Sequence, residues 1–204
     1  MSLQPFTRVS GTAAPMLAAN IDTDVIMPKQ FLKGIDRAGL DRGLFFDLRF
    51  LPSGAPNPHF ILNQPGWQGA SFLVVGPNFG CGSSREHAVW GLKQMGIRAL
   101  IGSSFAGIFY DNCQRNGVLL ITLEPEQVQA LGRSVSNAEG AHIEVDLPEQ
   151  QIRLQDGSTQ PFKIDALRKD ALLLGLDAIG STLQRSAQIR EFEQRHLQAN
   201  PWLS

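Results

Sequence analysis

The sequence predicts an α/β domain with a mostly parallel βαβ core, a small antiparallel β meander and C-terminal helices. Apolar runs at 70–76, 98–103 and 118–123 alternate with helical segments that close on glycine, the spacing of parallel strands joined by crossover helices. Residues 142–164 carry shorter apolar–polar alternations around an Asp156-Gly157 turn signal, as antiparallel strands do. From Asp165 onward the pattern is helical.

In chain order, residues 6–9 read as a short strand, followed by a turn-rich Gly11-Thr12-Ala13-Ala14-Pro15. Asn20 to Pro28 places acidic turn residues beside a short apolar run, and Pro28 stops regular pairing. The stretch 34–69 is rich in Gly, Pro and Asn. Two readings stay open for it: a loop that closes over a ligand or docks a partner, or a disordered surface loop. A buried strand over 70–76 leads through a glycine-rich turn into a helix over 84–95, stopped by Gly96. The next strand, 98–103, precedes a short helix over 105–116 with Gly117 as its C′ residue. A strand over 118–123 and a helix over 125–132 follow. The meander is expected at 142–147, 151–154 and 161–164. The tail helices should break near Gly175 and Gly180 and end in a charged helix over 189–197. No linker divides the chain, so residues 1–204 are expected to form one domain, with 165–204 as a helical extension.

Composition excludes several function classes. The chain has 204 residues, 43% hydrophobic and 18% charged, enough for a real core. A net charge of −1 without a basic stripe argues against nucleic acid as the main partner. No apolar run approaches the roughly 18 residues of a membrane span, and the first residues lack the basic and apolar regions of a signal peptide. A cytoplasmic location is expected, and two cysteines make no disulfide framework.

The chemistry concentrates in Asn78-Phe79-Gly80-Cys81-Gly82-Ser83-Ser84-Arg85-Glu86-His87. A turn that leaves a strand and opens a helix gathers backbone N–H groups and the positive end of a helix dipole, which favours an anion. A planar arginine beside two hydroxyls suits a carboxylate, and the same field would stabilise a serine alkoxide. The competing reading is that Ser83 or Ser84 only caps the helix and Arg85 only pairs with a glutamate. The turn lacks the third glycine of a dinucleotide fingerprint and the Gly-Lys-Ser/Thr ending of a phosphate loop.

This motif, with Asn20-Ile21-Asp22-Thr23-Asp24 and Ser104-Phe105-Ala106-Gly107-Ile108-Phe109-Tyr110, resembles the small subunits of 3-isopropylmalate dehydratase. That family is similar to the swivelling carboxy-terminal domain of aconitase. The likeness extends to Phe31-Leu32-Lys33, Leu44-Phe45-Phe46-Asp47 and residues 175–180, and so covers nearly the whole chain. One departure is Val89, where family members commonly carry proline. It falls in the early turns of the helix, where proline is tolerated and not required, so no loss of activity is expected.

The resemblance implies a swivelling β/β/α domain and a reaction that removes water from a 2-hydroxy dicarboxylate and returns it to the neighbouring carbon. It implies Ser83 as the base at carbon, and Ser84 and Arg85 as holders of a substrate carboxylate. Asp24 would approach the site, and a further basic contact would come from Lys29, Lys33 or Arg37. Expelling hydroxide needs a Lewis acid, which in this family is the open iron of a four-iron, four-sulfur cluster held by three cysteines. Cys81 and Cys113 cannot supply that set, and His59, His87, His142 and His196 lack ligand spacing. The expectation is that this chain binds no cofactor, that the cluster sits on a large subunit, and that the chain alone is inert. Two alternatives remain: a small subunit acting on homoaconitate or a methylmalate, and a non-catalytic anion-binding module.

Overall fold

The computed structural model describes residues 3–33, 38–138 and 141–203. Its strands are β1 (Arg8–Met16), β2 (Phe72–Val75), β3 (Ala99–Gly102), β4 (Leu119–Thr122), β5 (His142–Asp146), β6 (Gln151–Leu154) and β7 (Thr159–Pro161). Its α-helices are α1 (Thr23–Ile26), α2 (Phe46–Arg49), α3 (Glu86–Gln94), α4 (Gly107–Arg115), α5 (Pro125–Val135), α6 (Ala166–Leu174), α7 (Ala178–Leu183) and α8 (Ser186–Ala199). One mixed sheet runs β4-β3-β2-β1-β5-β6-β7. The pairs from β1 through β4 are parallel, and those from β1 through β7 on the other side are antiparallel. The expected parallel core and antiparallel meander are therefore two halves of one sheet joined at β1.

β1 corrects the sequence reading, which ends a strand at Val9 and places a turn at Gly11–Pro15. The strand runs to Met16 because its two halves have different partners. Residues 8–12 pair with β5, and residues 13–16 pair with β2. Gly11 fits because a Cβ there would lie 2.5 Å from the Ser71 hydroxyl. Pro15 fits because Thr12 and Met16 direct their carbonyls at Ser71 and Gly76 beside β2. By alternation, the N–H that proline lacks would point to the other side, beyond the end of β5.

The parallel strands are apolar on both faces because both faces are covered. Leu73, Val75, Leu100 and Leu120 pack on one side with Ala88, Val89 and Leu92 of α3 and Phe109 and Cys113 of α4. Phe72, Val74, Ile101, Leu119 and Ile121 pack on the other with Val128, Leu131 and Val135 of α5 and Leu172 of α6. α5 starts on a capping box between Glu124 and Gln127 with proline in its first turn.

Over its described part, the stretch 34–69 packs into the core. Leu44 and Phe45 are fully buried, and Leu40, Phe60, Leu62 and Trp67 join the same core. The Trp67 indole N–H donates to the Val135 carbonyl at 3.0 Å, pinning the end of this stretch to α5. The last strand also moves. It occupies 159–161 rather than 161–164, because the Asp156 carboxylate accepts from both the backbone N–H and the hydroxyl of Ser158 and closes the turn at once. In the tail, Gly175 ends α6 in the left-handed conformation as expected. Gly180, expected to break the tail, lies inside α7, whose start is capped by Asp177 accepting the Gly180 N–H at 2.6 Å. No helix among the described residues is long and apolar enough to cross a membrane.

Candidate functional site

Because β1, β2 and β3 are parallel, the loops that leave their C-terminal ends reach the same edge of the sheet, the usual place for a site in such sheets. These loops carry the three motifs singled out in the sequence. The loop after β1 is stitched to the glycine-rich turn after β2: Asn20 N–H donates to Pro77 O (2.9 Å), Gly80 N–H to Ile21 O (2.8 Å) and Thr23 N–H to Cys81 O (2.9 Å). The Asn78 side-chain amide donates to Asn20 Oδ1 at 2.8 Å. On the other flank, Asn78 N–H donates to the Ser104 hydroxyl (2.8 Å) and Ala106 N–H to Phe79 O (3.1 Å).

Gly80 makes the tight packing possible. Its φ is +77°, and a Cβ would run into the ring of Phe109, so no other residue fits. Between the two flanks lies a cavity of about 150 Å³ lined by Thr23, Gly80, Gly82, Ser83, Ser84 and Arg85 on one wall and residues 106–109 on the other. Drug-sized pockets usually start at about 300 Å³, so this concavity fits part of a ligand, such as one carboxylate and its neighbours.

The helix-capping explanation of the serines does not hold. α3 begins at Glu86, its N-cap is Arg85, and no side chain caps it. Ser83 and Ser84 are exposed, and neither hydroxyl has a hydrogen-bond partner among the described residues. The N-terminus of α4 is likewise uncapped by any side chain, and its first residues line the cavity opposite Arg85. Two helix N-termini thus meet at one concavity beside two free hydroxyls, an arrangement that attracts an anion.

Arg85 is held in place. Its Nη1 lies 2.5 Å from Asp24 Oδ1 and also donates to the Met27 carbonyl at 3.3 Å, and its side chain is only 9% exposed. The hydrogen bond from Arg85, with its charge and that of Lys29, holds the Asp24 carboxyl below its usual range. Arg85 pairs with this aspartate, and Glu86 is engaged elsewhere, accepting from the Asn116 side chain at 2.7 Å. The structure therefore brings Ser83, Ser84, Arg85 and Asp24 together. Lys29 is exposed and near Asp24 but does not line the cavity. Arg37 lies outside the described residues. Sequence reasoning misses Thr23 as a lining residue, and uses residues 104–109 only as a matching motif without showing that they form the opposite wall.

The residues present do not fit an iron–sulfur cluster. No group of three or more His, Cys, Asp or Glu among the described residues could hold a metal. Cys113 is fully buried and its thiol is pushed well up by burial, which disfavours the thiolate that ligation needs.

Comparison with known proteins gives concordant matches. The family described as Aconitase C-terminal domain matches residues 3–126, and LeuD_N matches 130–166. The C-terminal domain family of the 3-isopropylmalate dehydratase small subunit matches 179–204. The chain is 61% identical over 201 residues to 3-isopropylmalate dehydratase small subunit 1 of Mannheimia succiniciproducens, covering 98% of this chain and 99% of that one. It is 57% identical over 201 residues to small subunit 2 of Salmonella typhimurium, covering 98% and 96%. A crystal structure of 3-isopropylmalate dehydratase from Methanocaldococcus jannaschii superposes with a TM-score of 0.67 at 26% identity, covering 91% of this chain and 99% of that one.

Proposed function

The chain belongs to the family of 3-isopropylmalate dehydratase small subunits, and we propose that it supplies the proton-transfer and carboxylate-binding half of a two-chain hydro-lyase active site. In this reading the enzyme acts in the cytoplasm, in leucine biosynthesis. It converts 2-isopropylmalate to 3-isopropylmalate by loss of water to isopropylmaleate and its return to the neighbouring carbon.

The observation that carries the proposal is a pair of serine hydroxyls, without a hydrogen-bond partner among the described residues, on a cavity where two uncapped helix N-termini converge. Ser83, as an alkoxide, takes the proton from substrate carbon and later returns it. The local positive field lowers the cost of that charge. Ser84 and Arg85 hold a substrate carboxylate, with Asp24 setting the guanidinium and Lys29 or Arg37 making a further contact at the rim. The four-iron, four-sulfur cluster that the family implies is assigned to the large subunit, since the two cysteines of this chain and its described residues offer no ligand set for it.

The test is reconstitution with the large subunit. The isolated chain should be inactive, and activity should return with the partner. Ser83→Ala in the pair should lower turnover on the order of 10²- to 10⁴-fold, the usual worth of a general acid–base group, while KM changes little. A normal turnover number in that variant would remove Ser83 from the role.

A further inference from the structure

We propose that Thr23 is a positioning residue for Ser83, locking the serine's peptide so that its hydroxyl faces the cavity. This rests on the reading of Ser83 as the proton carrier. Thr23 is 1% exposed, and its hydroxyl donates to the Ser83 carbonyl at 2.7 Å. Its backbone N–H holds the Cys81 carbonyl at 2.9 Å. Residue 23 therefore grips the turn on both sides of Gly82, once with its backbone and once with its side chain.

The second grip matters because little else fixes this stretch. Gly82 has φ +88°, and a Cβ there would be 3.5 Å from Thr23 Oγ1, so the threonine lies directly against the most pliable residue of the turn. α3 begins only at Glu86, so helical hydrogen bonding does not reach back to Ser83. Among the described residues, the bond from Thr23 is the one hydrogen bond made by residues 82–84. Any amino acid with a backbone N–H at position 23 would keep the bond to Cys81. Only a hydroxyl at that position keeps the bond to Ser83. A reacting group displaced by about 1 Å can lose about 100-fold in rate, so one buried hydroxyl controls turnover through the placement of Ser83.

The experiment measures steady-state kinetics of Thr23→Val, Thr23→Ser and Thr23→Ala in the complex with the large subunit, per mole of folded complex. Thr23→Val should lower kcat roughly 10- to 100-fold with KM within about threefold, the split expected of lost alignment rather than lost binding. Thr23→Ser should recover most of kcat. Should the valine variant not fold, serine and alanine at this position differ by a single oxygen, and their kcat ratio decides. Unchanged kcat in Thr23→Val, or equal kcat for serine and alanine, would overturn the proposal. Ser83→Ala measured alongside separates the two readings. If it turns over normally, the serine base and Thr23's role fall together. If it is crippled while Thr23→Val is normal, only the positioning role falls.

Discussion

Asp24 and Arg85 are joined across 61 positions of sequence by a 2.5 Å contact, which ties α1 to the start of α3 and fixes the guanidinium at the cavity wall. Only one guanidinium nitrogen is taken by Asp24, so the rest of the fork stays available to a second carboxylate. Replacing Arg85 by lysine keeps the charge and loses the planar fork. Losing one charged hydrogen bond of about 1.5–3 kcal/mol predicts a fall of roughly 10- to 100-fold in kcat/KM for Arg85→Lys. Asp24→Asn should raise KM by a smaller factor, because among the described residues Arg85 retains Met27 as an anchor. Steady-state kinetics of the reconstituted pair check both, and a larger effect from Asp24→Asn than from Arg85→Lys would contradict this ordering.

Gly80→Ala should abolish turnover and destabilise the fold. Left-handed alanine alone costs about 1–2 kcal/mol, and here the methyl would also collide with the Phe109 ring. Gly54→Ala is the control, with a similar φ of +82° and open space around it. Thermal unfolding should separate the two variants clearly, the control losing only the backbone cost.

Trp67→Phe should lower stability and leave kcat per folded complex unchanged. The variant leaves the Val135 carbonyl without its 3.0 Å donor in a buried setting, a loss of about 1–3 kcal/mol. The urea midpoint should fall while m stays the same.

Acid should destabilise the protein through Asp146. Its side chain is fully buried, and burial alone would raise its pKa. The Glu149 N–H and the charges of Arg8 and Arg153 outweigh this and hold the carboxyl below its ordinary value of 3.8. A depressed folded pKa gives stability that is present above about 3.8 and is lost as pH falls through the lower folded value. Asp24, also depressed, adds to the same window. The melting temperature should drop steeply below pH 4, and Asp146→Asn should lie below the parent at pH 7 and converge on it in acid. A parallel pH profile for the two proteins would exclude Asp146 as the source.

Deleting residues 186–204 should leave thermal unfolding of the chain nearly unchanged. α8 buries no residue, and Trp202 beyond it is 76% exposed. α6 differs, since Leu172 enters the core and its carbonyl accepts from the Phe6 N–H at 2.9 Å. Truncation at 165 should therefore unfold the protein, which places the boundary of any separable extension after α6.

What is legible in the sequence follows a physical division. β2, β3 and β4 are readable because a strand covered on both faces is a plain apolar run, and α3, α4 and their stops because Gly96 and Gly117 have left-handed φ. β1 is hidden past Val9 because Gly11 and Pro15 are tolerated only by partners far along the chain, Ser71 and the end of β5. Ser83, Ser84 and Arg85 announce themselves by residue type, but that the serines do not cap α3 is a matter of three-dimensional geometry. The role proposed for Thr23 is invisible in the sequence, since its hydroxyl meets a carbonyl 60 positions away.

The place of β1 at the seam of the sheet has a kinetic consequence. The first strand of the chain cannot complete either edge early: its parallel partner begins at Phe72, and its antiparallel partner at His142. During synthesis it waits, with open backbone edges, until the growing chain has passed His142. Such long-range closure slows folding and leaves intermediates prone to self-association. Refolding of this chain from denaturant should therefore be slow and concentration-sensitive, governed by capture of its first strand.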